Sequence, residues 1–357
     1  MKTYEKDLSV VVPFVGEYPQ VLFTIQSIAQ SLIPSGINFE IIAVNNFCEE
    51  VKKQADTSLI KTYTSILNSI FEKPKEERPT GQDLLSLLYQ IRKNTPPTFE
   101  DPSGESVKAA ARINPWLTYL EFSDRLSHWE AKRKAIEISK GKVLFFADAH
   151  TVPSYDGISN MLGTYNHPDY FSKGSMHLPV SYKILESHKL IYKLKIDNAF
   201  YGYSFSGFRE SEFPYEVPCM STCGMMVSRE LYDLIGGWPS HMTMYGGGEN
   251  FFNFTLSICG FKKWIYPGGT LFHHGEKRDY HYTYDGRLWN NLTAHYLFGG
   301  EKGLLALANQ SKGSPDVIKR MVRQIKEIHE EHHFKIKKLQ VCEIEDWARR
   351  WNGEIIE

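Results

Sequence analysis

Apolar positions along the first half of the chain switch repeatedly between a strand pattern and a helical one. Leu8-Ser-Val-Val-Val-Pro-Phe14 is a short β-branched run, and from Tyr18 to Leu32 the apolar residues Val21, Leu22, Ile25, Ile28, Ala29 and Leu32 recur at helical spacing. Phe39-Glu-Ile-Ile-Ala-Val44 follows as a second strand. Strand, crossover helix and strand predict a parallel pair whose carboxyl ends, the usual ligand side of an open α/β sheet, carry Pro13, Phe14, Asn45 and Asn46. From about residue 50 to 123 the pattern loosens around two Pro-rich polar breaks, which predicts an insertion with its own helices. A basic helix over Trp129–Ser139 then runs into a buried strand, Val143–Ala147. A strand near Met225–Val227, a helix over Glu249–Ile258, a strand-like Lys263–Tyr266 and a mixed-charge helical tail from Pro315 to Arg350 complete the chain. The expected class is α/β, with a central, mostly parallel mixed sheet flanked by helices.

Composition narrows the function without naming it. The 41 Lys+Arg and 42 Asp+Glu leave a net charge of −1, which excludes a polycation built to coat nucleic acid or anionic lipid, so any basic surface is local. Apolar runs fall well short of the roughly 20 residues of a membrane span. Met1–Asp7 is too polar for a signal peptide, so a cytoplasmic protein with no membrane span is expected. The five cysteines are scattered and read as reduced structural thiols.

Two clusters carry candidate chemistry. Asp148-Ala-His150 stands just beyond the Val143–Ala147 strand, where both side chains can bend toward one divalent cation. Phe272-His273-His274-Gly275 can supply a further imidazole, and a mixed Asp/His/His set suits Mn²⁺ better than Ca²⁺. The plain alternative makes Asp148 a turn cap and the histidines satisfied core or surface groups. Gly246-Gly247-Gly248-Glu249-Asn250 opens an apolar helix, so free backbone N–H groups favour phosphate while Glu249 and Asn250 stand at the helix start. Asn253, one turn on, can share the face of Glu249. The plain alternative here is a helix cap after a glycine turn.

In their joint order these motifs resemble the GT-A (nucleotide-diphospho-sugar transferase) glycosyltransferases of the family-2 type, and the second half is similar to the polypeptide N-acetylgalactosaminyltransferases. Ser9–Pro13 matches the opening strand, Asn45-Asn46 the base-site position, Ala131-Lys132-Arg133 the Ala-Arg-Asn helix, and Asp148-Ala-His150 the D-x-H motif. Cys223–Val227, Gly236-Gly-Trp238 and Gly247-Gly248-Glu249-Asn250 match the small-residue strand, the turn and the G-G-E-N helix start. The spacing from Pro267 favours His273 over His274 as third ligand. Asn45-Asn46 and Lys132 depart from the acidic pair and the arginine of the family, which leaves the nucleotide open.

The resemblance implies a GT-A catalytic domain over 1–275, with the helical insertion at about 50–123, and an acceptor-side helical extension over 276–357. It implies Mn²⁺ or Mg²⁺ on Asp148, His150 and His273, with a donor, a UDP-sugar favoured, on Pro13, Phe14, Asn45, Asn46, Asp148, Gly247 and Gly248. Lys132, Arg133 and Arg278 are candidates for the diphosphate. An inverting transfer needs a carboxylate base on the acceptor hydroxyl, for which Glu249 is the candidate. A retaining transfer would use Glu249 and Asn250 to position groups.

Beyond residue 275, Arg278, Tyr280, Tyr282, Tyr284 and Trp289 alternate aromatic and cationic character, which suits stacking on sugars or bases, and bases outnumber acids from Lys312 to Lys338. Residues 280–300 also resemble, more weakly, the tails of phage-type enzymes that glycosylate hydroxymethylated pyrimidines in DNA. A 5-hydroxymethylpyrimidine in DNA therefore ranks above any other single acceptor, but below saccharide, lipid and protein acceptors taken together. A non-catalytic nucleotide-sugar-binding protein is the competing class. A nucleotidyltransferase would need a glycine-rich basic loop after the first strand, and Val12–Glu17 is not one.

Overall fold

The structure, a computed structural model, describes residues 3–17, 20–46, 86, 103–183, 186–274 and 282–351. The frame is an eight-stranded sheet. Its first strands are β1 (Lys6–Phe14), β2 (Phe39–Asn45), β3 (Leu117–Glu121) and β4 (Gly141–Phe146). All pair in parallel, with β1 between β2 and β4. Near-continuous apolar runs form β1, β2 and β4 because both of their faces are covered. Val10, Val12, Ile41, Ala43, Val143 and Phe145 enter one core cluster, while Val11, Ile42, Val44, Leu144 and Phe146 enter the other. Helices α1 (Gln20–Leu32), α2 (Ser103–Ile113) and α4 (Gly157–Tyr165) close the first cluster, and α3 (His128–Ile138) closes the second.

The sheet continues through β6 (Gly174–His177), β10 (Tyr215–Glu216), β11 (Met225–Ser228) and β12 (Lys262–Ile265), in the spatial order β10-β12-β6-β11-β4-β1-β2-β3. The antiparallel β11 joins β4 to β6 and makes the sheet mixed. A second, five-stranded sheet contains β5 (Thr151–Pro153), β7 (Val180–Ser181), β8 (Leu190–Asp197), β9 (Phe200–Gly207) and β13 (Leu271–His273), in the order β5-β13-β7-β8-β9. The loop from β4 to β5 therefore passes from one sheet to the other, and it carries Asp148 and His150.

One expectation changes. Residues 117–121, read from sequence as part of the helical insertion, are the edge strand β3, because alternating Leu117, Tyr119 and Glu121 lie in register with Ile41, Ala43 and Asn45. The tail is helical, in two pieces, α8 (Pro315–Leu339) and α9 (Ile344–Trp351). Helix α7 (Tyr284–Gln310) shares a small cluster with α8, and Ala294, Leu297 and Phe298 of α7, Ile336 of α8 and Trp347 of α9 also join the core cluster that holds Phe251 and Phe254 of α6 (Gly248–Ile258). The short α5 (Arg229–Leu234) follows β11. Among the described residues no helix is long and apolar enough to cross a membrane.

Candidate active site

The carboxyl end of β4 and the pairing of β5 with β13 bring three ligand-type residues together. Antiparallel register sets His273 opposite Thr151, so His150 and His273 leave the two strands side by side, with ring centroids 4.7 Å apart. Asp148 is held from behind by its own turn, in which Thr151 Oγ1 donates to the Asp148 carbonyl at 2.7 Å. Its carboxylate Oδ2 lies 3.4 Å from His273 Nε2. One donor atom from each of Asp148, His150 and His273 lies within 4.8 Å of the others, so the trio can hold a metal ion. His274 contributes a backbone N–H to the His150 carbonyl at 3.0 Å instead, and is outside this group.

Sequence reading missed Glu17. Its Oε1 is 2.6 Å from His150 Nδ1, which leaves Nε2 of that ring to face an ion. A carboxylate on the distal ring nitrogen fixes both tautomer and orientation of a ligating histidine. Glu17→Gln is expected to weaken Mn²⁺ affinity by about 10- to 100-fold while leaving the fold intact. Isothermal titration with Mn²⁺ checks it, and unchanged affinity would separate Glu17 from the metal centre.

The second cluster is built on the start of α6. Gly246 and Gly247 have φ of +85° and +74°, a conformation that suits glycine. Space restricts the run as well: a Cβ on Gly247 would lie 2.5 Å from the Asn290 backbone, and one on Gly248 would lie 2.4 Å from the Trp129 ring. Asn290 of α7, fully buried, donates to the carbonyls of Thr243, Tyr245 and Gly246 at 3.0 Å each and accepts from the Thr243 N–H. Next to it, Asn291 Oδ1 accepts from Asn250 Nδ2 at 3.1 Å. The extension beyond residue 275 thus shapes the site from below.

Glu249, half-buried, gathers donors from two directions. Tyr203 of β9 donates its phenol to Oε2. Ser221 Oγ and the Thr222 N–H reach Oε1 at 3.3 Å each, and Thr222 Oγ1 reaches it at 3.4 Å. Asn253 makes this possible: it shares the face of Glu249, accepts from Met220 N–H at 2.9 Å, donates to the Met220 carbonyl at 2.8 Å, and so holds the 220–222 segment against α6. Burial first, and the Glu249 charge second, push the Tyr203 phenol well above its ordinary range, so Tyr203 keeps its proton and remains a donor.

Tyr182 ties the two clusters into one site. Its ring packs on His273 at 4.6 Å and on Phe205 at 5.3 Å, and its hydroxyl meets that of Tyr192 at 3.0 Å. Behind Tyr192, whose ring packs 5.1 Å from that of Tyr203, the Tyr203 hydroxyl donates to Glu249, so a file of packed tyrosines runs from the metal ligands to the carboxylate. Tyr182 and Phe205 remain exposed and form an aromatic wall beside the metal ligands. The wall was not anticipated, because the aromatic residues of 182–205 come from hairpin strands whose alternation is mixed with lysines and glycines.

Where the strands β1–β3 end, Asn45 Nδ2 donates to Tyr119 Oη at 3.2 Å, and Tyr119 Oη donates to Glu121 at 3.0 Å. Phe14 packs 6.5 Å from the Tyr119 ring. Asn46 is buried, with its Nδ2 on the Leu126 carbonyl at 3.4 Å and its Oδ1 without a hydrogen-bond partner among the described residues. Pro13, Phe14, Asn45 and Asn46 thus share one strand-end surface with Tyr119 and Glu121, which sequence reading left in the insertion.

The remaining candidates fall elsewhere. Lys132 is fully buried and directed at Thr222. Arg133 pairs on its own helix with Glu130, at 2.6 Å, and with Glu137. Arg278 and Tyr280 lie outside the described residues. Tyr282 packs on Tyr245 at 5.2 Å, Tyr284 accepts from the Lys312 N–H at 3.1 Å, and Trp289 donates to the His241 carbonyl at 2.9 Å against the α7–α8 cluster. On α8 the cations are partly engaged: Lys326 pairs with Glu301, Lys337 with Glu343, and Lys335 donates to the Asp233 carbonyl.

No protein-family model and no curated protein sequence matches the chain. Solved structures do. The chain is similar to GalNAc-T7 with UDP, GalNAc and Mn²⁺, at a TM-score of 0.63 and 12% identity, covering 98% of this chain and 57% of that one. It thus spans a little over half the length of that protein. It is also similar to the mannosyltransferase PcManGT from Pyrobaculum calidifontis in complex with GDP-Man and Mn²⁺ (TM-score 0.46, 13% identity, 99% and 79% covered), and to S. aureus TarS 1–349 in complex with UDP-GlcNAc (0.45, 10%, 91% and 73%). The first likeness establishes the GT-A fold. A likeness of fold leaves the resemblance to DNA-modifying enzymes without support.

Proposed function

We propose that the protein is a metal-dependent glycosyltransferase that moves a sugar from a nucleotide-diphospho-sugar to an acceptor hydroxyl. The observation that carries this reading is the link, through Tyr182, Tyr192 and Tyr203, between an Asp148/His150/His273 metal set and a Glu249 carboxylate held by several donors. Two imidazoles and a carboxylate fit Mn²⁺ better than the harder Mg²⁺, and such an ion, when bound, supplies the charge that stabilises a diphosphate leaving group. The chain's own groups do the rest. Phe14, Asn45, Asn46 and Tyr119 receive the base and ribose, while Gly247 and Gly248, packed against Asn290 and Trp129, set the start of α6 and with it Glu249. Glu249 takes the proton of the acceptor hydroxyl as its oxygen bonds to the anomeric carbon and the bond from that carbon to the diphosphate oxygen breaks. The diphosphate leaves with the electron pair.

The acceptor reading shifts from the one expected. The exposed Tyr182–Phe205 wall touches the metal-set residue His273 directly, whereas Tyr284 and Trp289 of the expected DNA-binding stretch bond to Lys312 and His241. Partial neutralisation of the α8 cations weakens the case for a phosphate track. An acceptor saccharide, with a ring face that stacks on aromatic side chains, fits the wall better. The test supplies radiolabelled donor and Mn²⁺ to a saccharide panel and to hydroxymethylated duplex DNA. Label in a saccharide is expected; label confined to the duplex, declining steeply with salt, would restore the DNA acceptor.

A further inference from the structure

Lys132 is a buried charge that the expected diphosphate role does not explain. It sits one turn into α3 with no exposed surface. Its Nζ lies 5.4, 5.5 and 5.7 Å from the ring centroids of Trp129, Trp238 and Phe146. An ammonium in such surroundings needs compensation by ring faces, hydrogen bonds or an opposite charge. Its Nζ donates to Thr222 Oγ1 at 3.1 Å. Thr222 Oγ1 in turn lies 3.4 Å from Glu249 Oε1.

An ammonium only donates and a carboxylate oxygen only accepts, so a Thr222 hydroxyl that accepts from Lys132 has its one proton available for Glu249. Ser221 repeats the pattern: its Oγ accepts from the Cys223 N–H at 3.0 Å and lies 3.3 Å from the same carboxylate oxygen. We propose that Lys132 is a positioning residue: acting through Thr222, it fixes Glu249 in the orientation in which the carboxylate receives the acceptor proton. The inference rests on the assignment of Glu249 as the base, and it removes Lys132 from the diphosphate.

Methionine is the informative substitute at 132, because it is unbranched, about as long as lysine, and its thioether packs well among aromatic rings. Lys132→Met is expected to lower kcat by about tenfold or more while the donor Kd, titrated with Mn²⁺ present, stays within about threefold. Thr222→Val should do the same, and the double variant should lie within about threefold of either single one, since both changes cut one relay. A tenfold rise in donor Kd with kcat preserved, or multiplicative losses in the double variant, would overturn the proposal and return Lys132 to the donor. If Glu249→Gln keeps wild-type turnover, or wild type turns over no donor, the assignment of function fails rather than the relay. The relay then stands or falls on unfolding. Lys132→Met and Glu249→Gln should depart from multiplicative effects on the unfolding equilibrium constant by about fivefold or more, and multiplicative effects would overturn it.

Discussion

Glu249→Gln lowers kcat by about 10²-fold or more, with donor affinity little changed, if the transfer inverts the anomeric centre. Glutamine keeps the size of the side chain but loses the group that accepts a proton. Its amide nitrogen also cannot accept from the hydroxyls and the Thr222 N–H that converge on Glu249, so part of the cradle is left facing a donor. Donor binding, in the proposed reading, uses the strand ends around Phe14 and Asn45 and the metal set, none of which this change alters. Steady-state rates at saturating donor, with the donor Kd measured separately, give the split. The anomeric configuration of the product, read by NMR, gives the mechanism, and a retaining enzyme would lose less. Wild-type turnover in the variant would take Glu249 out of the chemistry.

His150→Ala cuts activity at least about tenfold, through the loss of one of three ligands and of the ring that Glu17 orients. The change also removes a partner of the His273 ring. Raising Mn²⁺ should therefore recover part of the rate, because the defect lies in ion affinity. A variant that keeps full activity at limiting Mn²⁺ would sink the three-residue site.

Much of this site is legible in the sequence, for a physical reason. Asp148-Ala-His150, His273 and Gly247-Gly248-Glu249-Asn250 each follow a strand or glycine turn with a strong local signal, and local signals survive without a fold. The strands β1, β2 and β4 are equally plain, since burial on both faces makes them almost wholly apolar. What sequence reading misses depends on register between distant segments. Glu17 is an acid in a loop until β5 lies beside β13 and turns His150 toward it. Tyr203 is one tyrosine among many until β9 crosses α6. Leu117–Glu121 has the alternation of a strand but lies in a polar neighbourhood, and only pairing with β2 assigns it to the sheet. Lys132 was misdirected for the opposite reason: its motif position suggested the donor, whereas the side chain is buried among three aromatic rings that come together only in the packed core.

The release of free nucleotide is the most direct measurement. The protein is incubated with a panel of UDP- and GDP-sugars, with Mn²⁺ and then with excess chelator, and free nucleotide is quantified. Release from at least one donor, lost in chelator and restored by Mn²⁺, is the predicted result. Metal-dependent binding of a donor with no release of nucleotide from any, with or without acceptors, would contradict the account and leave a protein that binds sugar nucleotides without turning them over.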